Sequence, residues 1–129
     1  MKKIFFLLVL STFANLIITG NANAQADSAG GVLRHIVTIS FKKEAPADSI
    51  QAIDKIYMDL SKSSFVKDFE MGTDISTRAP GVLRHVYMTT FASREDMQSY
   101  KKIPEYQMLF KISLAIADDV NAVDYWAKK

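Results

Sequence analysis

A five-residue segment, Gly31-Val32-Leu33-Arg34-His35, recurs letter for letter as Gly81-Val82-Leu83-Arg84-His85, and the two copies hold both histidines of the chain. Each copy runs into a β-rich stretch, Ile36-Val37-Thr38-Ile39-Ser40-Phe41 in the first and Val86-Tyr87-Met88-Thr89-Thr90-Phe91 in the second. The offset of 50 residues is about the length of one strand–helix–strand unit with its turns. Two such units in tandem predict a pseudo-symmetric β-α-β-β-α-β domain of the α+β class, with the two repeat-bearing strands in equivalent places.

The rest of the chain fits that order. Leu33 to Phe41 alternates, with His35, Val37, Ile39 and Phe41 on one face and Arg34, Ile36, Thr38 and Ser40 on the other. From Ala45 to Leu60 the apolar spacing becomes helical through Ile50, Ile53, Ile56 or Tyr57, and Leu60. Pro46 suits the first turn, and Asp48 or Ser49 can cap it. Phe65 to Thr73 reads as a second strand, Asp74 to Gly81 as a turn, and Leu83 to Phe91 as a third strand. Ser93 followed by Arg94-Glu95-Asp96 marks a capped helix start. Pro104 restarts a helix whose apolar face is Tyr106, Leu109, Phe110, Ser113 or Leu114, and Ala117, and Val120 to Tyr125 is the last strand.

In the usual arrangement of such a domain, strands one and three are expected as parallel central neighbours of a four-stranded antiparallel sheet. His35 and His85 then sit side by side at one sheet end, and Arg34 and Arg84 are neighbours on the opposite face. Two adjacent guanidinium groups need carboxylates, and Asp124 and Asp74 are the reachable ones.

Residues 1–24 read as a signal peptide: Lys2 and Lys3, an apolar stretch from Ile4 to Ile18, then Ala22-x-Ala24 and Ala24-x-Ala26 as candidate cleavage sites. Ser11, Thr12 and Asn15 interrupt the apolar stretch, which falls short of the roughly 20 residues that span a bilayer. Residues 25–31 form a flexible lead-in and 32–129 the folded domain. No cysteine is present, so no disulfide supports the fold and no lipoprotein-type anchor is available. A soluble periplasmic or secreted protein without a stable membrane anchor is expected. Lys2 and Lys3 supply the whole formal surplus of +2, so the mature chain is neutral and lacks the basic footprint of a nucleic-acid binder. A domain of this size gains burial by dimerising.

There is no P-loop, no dinucleotide fingerprint, no HExxH, no CxxC and no serine-nucleophile elbow. No spacing sets an Asp or Glu beside the histidines, so no metal site and no cofactor are expected. The histidines themselves are candidate ligand-binding residues at the mouth of a cavity between sheet and helices, where neutral imidazole donates or accepts a hydrogen bond. Tyr57, Tyr100 and Tyr106 are candidates to join them. For each, packing alone is the competing explanation.

Leu33-Arg34-His35-Ile36-Val37-x-x-x-Phe41-Lys42 resembles the first strand of the stress-responsive A/B barrel domains, which belong to the dimeric α+β-barrel superfamily. Phe91-Ala92-Ser93-Arg94-Glu95-Asp96-Met97-x-x-Tyr100 resembles that family's passage from strand to helix. Ile103-Pro104-Glu105-Tyr106-Gln107-x-x-Phe110 stands where it commonly has His-Pro-x-His-x-x-Phe, and Val123-Asp124-Tyr125 resembles its last strand. The resemblance implies a ferredoxin-like unit whose sheet packs on a second copy's sheet. It also implies the pocket of a plant polyketide cyclase, which closes a ring by intramolecular aldol-type condensation; its positions fall on His35, Tyr57, His85, Tyr100 and Tyr106. Tyr106 replaces the residue expected as general base. An unperturbed Tyr has a pKa of about 10 against about 6.5 for His, so Tyr106 suits hydrogen-bond donation to a carbonyl better than proton abstraction. The leading expectation is therefore a homodimer binding a small aromatic or carbonyl-bearing molecule, with weak cyclase- or isomerase-type chemistry. A non-catalytic structural or stress-protective dimer and a haem-degrading or cofactor-free monooxygenase are the alternatives.

Overall fold

The computed structural model describes residues 31–76 and 79–128. The expected signal peptide lies outside them. The chain forms β1 (Val32–Phe41), α1 (Ala47–Leu60), β2 (Val66–Thr73), β3 (Arg84–Phe91), α2 (Arg94–Lys101), α3 (Pro104–Ile116) and β4 (Ala117–Ala127). The sheet order is β2-β3-β1-β4, antiparallel throughout. This is the ferredoxin-like α+β fold, as the repeat and the resemblance predict.

The parallel placement of β1 and β3 is corrected. The β2–β3 hairpin reverses the chain, so β3 returns antiparallel to β1, pairing His35 with Thr89 and Ile39 with His85. An approximate two-fold then relates the central strands and sends equivalent residues to opposite ends. The histidines stand four positions apart along the ladder, roughly 13 Å at about 3.3 Å per residue. Arg34 and Arg84 separate in the same way, each bonding a hydroxyl directly across the ladder. Arg34 Nη1 donates to Thr90 Oγ1 at 3.0 Å, and Arg84 Nε donates to Ser40 Oγ at 2.8 Å. The expected Arg84–Asp74 ion pair is present at 2.9 Å, but Asp124 lies on the other face from Arg34.

The two copies of the repeat also differ in conformation. Gly31 lies against β4, where an added Cβ would meet the Ala127 carbonyl at 2.8 Å, whereas Gly81 sits at φ +81° in the turn before β3. That left-handed conformation costs glycine little and other residues more. Leu33 is buried and Leu83 exposed.

The helices cover the sheet face that carries Leu33, Val37, Ile39, Phe41, Tyr87 and Phe91, and Ile53, Tyr57, Leu60, Met97, Tyr100, Leu109 and Ile116 complete the core. At α1 the stripe buries Ile53, Tyr57 and Leu60; Pro46 occupies the N-cap position, and no side chain caps the helix. Ser93 caps α2 by accepting from the Asp96 backbone N–H at 3.1 Å. Pro104 opens α3, where Leu109, Ser113 and Ile116 face inward. Phe110 and Leu114, expected on that inner face, are each 62% exposed. They sit one position further round the helix, which is apolar over more of its circumference than one stripe. The opposite sheet face has no helix over it. It presents Ile36, Val86 and Met88 half-buried and Val123 and Tyr125 exposed.

Candidate active site

The sheet and the C-terminal helix enclose a cavity of about 470 Å³, within the range of small-molecule pockets. Val37 and Ile39 of β1 and Val120 and Ala122 of β4 form its floor. Tyr57 enters from α1, and Tyr106, Leu109 and Ser113 from α3, with Phe110 and Leu114 at the mouth. The wall is mostly apolar, so its few polar groups decide how a ligand is oriented.

The best-defined of these is Tyr106, which ends a chain of three side chains. Antiparallel pairing sets Asp124 of β4 directly opposite His35 of β1, and its Oδ1 lies 2.5 Å from His35 Nδ1. On the other side of the ring, His35 Nε2 is 3.4 Å from the Tyr106 hydroxyl. With the carboxylate accepting from Nδ1–H, Nε2 is left as an acceptor and the phenol donates to it. Lys101 Nζ lies 3.6 Å from the other Asp124 oxygen.

Charge in this chain is governed by burial. His35 is 2% exposed, and desolvation pulls its pKa below 6.5 although Asp124 pushes upward; Lys101 adds to the lowering. The imidazole is therefore neutral near pH 7. Desolvation, then the Asp124 charge, raises the Tyr106 phenol above its ordinary value. Tyr106 is a protonated phenol, and because its contact with His35 Nε2 is long at 3.4 Å, its single O–H can turn from the imidazole to a ligand carbonyl as a hydrogen-bond donor.

Of the five residues singled out from the sequence, Tyr57 and Tyr106 line the cavity, and His35 supports Tyr106 from behind. Tyr100 does not reach it. Its ring packs edge-on against Phe91 and Tyr106 with centroids 5.1 and 5.2 Å away. Burial raises its phenol, with the neighbouring Thr89 hydroxyl pulling the other way. His85 belongs to a second cluster, where its Nδ1 lies 2.9 Å from Asp54 Oδ1 and the Tyr87 hydroxyl donates to the same oxygen at 2.6 Å. Tyr87 is fully buried; desolvation first, and Asp54 second, raise its phenol strongly.

The expectation that no carboxylate stands beside the histidines is thus overturned at both. Sequence reasoning misses Asp54 and assigns Asp124 to the arginines rather than to His35. Asp54 carried a signal: it falls four residues after Ile50 and three before Tyr57, a charge on the apolar stripe of α1. Asp124 needed only the antiparallel register of β1 and β4. Among the described residues no group of three or more His, Cys, Asp or Glu is placed to hold a metal, and no helix is long and apolar enough to cross a membrane.

The fold and this site define a ferredoxin-like domain with an apolar cavity beside its C-terminal helix. Residues 33–127 match the family model of the stress responsive A/B barrel domain, and the chain belongs to that family. It is 28% identical over 101 residues to the stress-response A/B barrel domain-containing protein HS1 of Arabidopsis thaliana, covering 77% of this chain and 93% of that one. Among solved structures it is similar in fold to a hydroxynitrile lyase from Passiflora edulis, with a TM-score of 0.66, 24% identity and coverage of 77% of this chain and 95% of the other. A dimeric ferredoxin-like protein from Thermobifida fusca matches with a TM-score of 0.64, 17% identity and coverage of 77% and 93%.

Proposed function

We propose that the protein is an exported homodimer that binds a small aromatic or carbonyl-bearing molecule in the cavity beside α3. Tyr106 is its principal polar contact, and proton transfer next to a carbonyl, of the cyclising or isomerising kind, is the chemistry the site suits. The observation that carries this reading is the Asp124–His35–Tyr106 chain ending in an apolar cavity. The phenol's O–H can leave the long contact with His35 to donate to a ligand carbonyl, and the apolar wall excludes the water that would compete for it.

Tyr106→Phe removes the donor while leaving the ring packed against Tyr100. Affinity for aromatic ketones and phenols, followed by calorimetry, should fall roughly tenfold, the value of one hydrogen bond left unmade in a buried site. Unchanged affinity would remove Tyr106 from the site and favour the non-catalytic reading, to which the tight packing of Tyr100 already lends support.

The dimer is supported by the uncovered sheet face, with Ile36, Val86, Met88, Val123 and Tyr125, and by the dimeric relative of the same fold. Export rests on the reading of residues 1–24. Intact mass of the exported protein should begin at Gln25 or Asp27, and light scattering at micromolar concentration should give twice that mass. Retention of Met1 or a clean monomer would contradict the respective part.

A further inference from the structure

The junction between α2 and α3 meets the Asp124–His35–Tyr106 chain at both of its ends. α2 ends on Lys101, Pro104 opens α3, and Gln107 in the first turn of α3 donates from Nε2 to the Lys101 carbonyl at 2.7 Å. Two backbone bonds hold the same turn, Ile103 N–H to the Tyr100 carbonyl at 3.1 Å and Tyr106 N–H to the Ile103 carbonyl at 3.0 Å. From this braced segment the Tyr106 hydroxyl reaches His35 Nε2 at 3.4 Å, and Lys101 Nζ reaches Asp124 Oδ2 at 3.6 Å. The other Asp124 oxygen lies at His35 Nδ1. Asp124 stands on the edge strand β4 and is 38% exposed, so its own strand leaves the carboxylate free to turn toward water. The Lys101 ammonium opposes that turn.

We infer that Lys101 is a positioning residue: by holding Asp124 Oδ2 it keeps Oδ1 on His35 Nδ1–H and leaves Nε2 a bare acceptor facing Tyr106. The use of that acceptor rests on the ligand-binding reading above; the role of Lys101 does not. Charge works in the same direction as orientation. A carboxylate beside an imidazole favours the imidazolium, whose Nε2–H would face the phenol as a second donor, and a cation on the far side of the carboxylate offsets this. Burial is the main reason His35 stays neutral, Asp124 opposes it, and Lys101 adds to it. The remaining neighbours bring no charge near pH 7: α3 offers the Tyr106 phenol, and β3 sets Thr89 opposite His35 across the ladder.

Lys101→Gln removes the charge and Lys101→Arg keeps it. The Lys101 side chain is 35% exposed, and ion pairs this open contribute little to stability, so both variants should fold and melt like the wild type. The imidazole nitrogens are then followed by NMR through a pH titration at low ionic strength with no ligand added. In Lys101→Gln, His35 Nε2 should take up its proton at a higher pH than in the wild type; in Lys101→Arg it should do so at the wild-type pH. His85, which lies against Asp54 in the other cluster, should titrate alike in all three proteins and serves as the internal control. A purely structural role for Lys101 would move melting temperature and leave the His35 titration where it is. His35 titrating alike in wild type and Lys101→Gln, or shifting as far in Lys101→Arg as in Lys101→Gln, would overturn the inference. Adding 4-methylacetophenone afterwards separates it from the reading it serves: a wild-type His35 whose signals ignore the ketone counts against ligand binding, while the ligand-free titration still decides the role of Lys101.

Discussion

Asp54→Ala should lower stability by about 1–3 kcal/mol, because it removes the acceptor shared by Tyr87 and His85 and leaves the two only each other, 3.3 Å apart. Asp54 Oδ1 accepts from the fully buried Tyr87 hydroxyl at 2.6 Å and lies 2.9 Å from His85 Nδ1. The Tyr87 ring cannot move out to find water, since it stacks on Tyr57 with centroids 3.9 Å apart. Chemical denaturation would measure the loss. Adding Tyr87→Phe to Asp54→Ala removes the buried hydroxyl left with only its long contact to His85, so the double variant should recover about 1 kcal/mol of it. A double variant no more stable than Asp54→Ala would mean that the Tyr87–Asp54 bond contributes nothing.

His35→Ala should cost about 2–4 kcal/mol, in the range for truncating a buried side chain of similar size, and should also change how stability depends on pH. Burial lowers the folded-state pKa of His35 below 6.5. Between that folded value and the ordinary value the unfolded chain binds the proton more readily, so stability rises with pH across this window. The His35 contribution is full above about pH 7 and is lost as pH falls through 6.5 toward the folded value. Melting temperatures at pH 7.5 and 5.5 should therefore differ in the wild type, lower at the acid end, and differ less in His35→Ala. Equal slopes in the two proteins would show that His35 is not held neutral by burial.

Much of this architecture is legible in the sequence. The alternation in β1 identified His35, Val37, Ile39 and Phe41 as one face, the helical stripe found Ile53, Tyr57 and Leu60, and Ser93 marked its helix start. What failed was direction. Periodicity reports which face a residue takes and says nothing about strand polarity, so the histidines were placed together when the hairpin reverses β3 and separates them. The same blindness assigns Asp124 to the arginines, although its role depends on lying opposite His35 across a ladder. Tyr57 and Tyr106 could be assigned to the cavity because each combines an apolar helical position with a polar tip. Tyr100 looks identical by that criterion and packs in the core instead. β4 proved longer than its apolar run, from Ala117 to Ala127, because pairing with β1 rather than local hydrophobicity sets its extent.

The repeat is informative in a different way from what its identity suggests. Its two copies place His and Arg in symmetric positions on antiparallel central strands, each His beside a carboxylate and near a tyrosine. Yet only one cluster, Asp124–His35–Tyr106, opens on the cavity. The other ties α1 to the sheet through Asp54.

The central claim is that His35 serves the cavity through Tyr106 while His85 serves the fold. With two histidines in the chain, imidazole NMR through a pH titration, with and without an added aromatic ketone, tests it most directly. The expected result is that His35 stays neutral below pH 6.5 with its proton on Nδ1, and that the ketone shifts its Nε2 signal in the wild type but not in Tyr106→Phe. A His35 that titrates at its ordinary value and ignores every carbonyl compound would contradict the account.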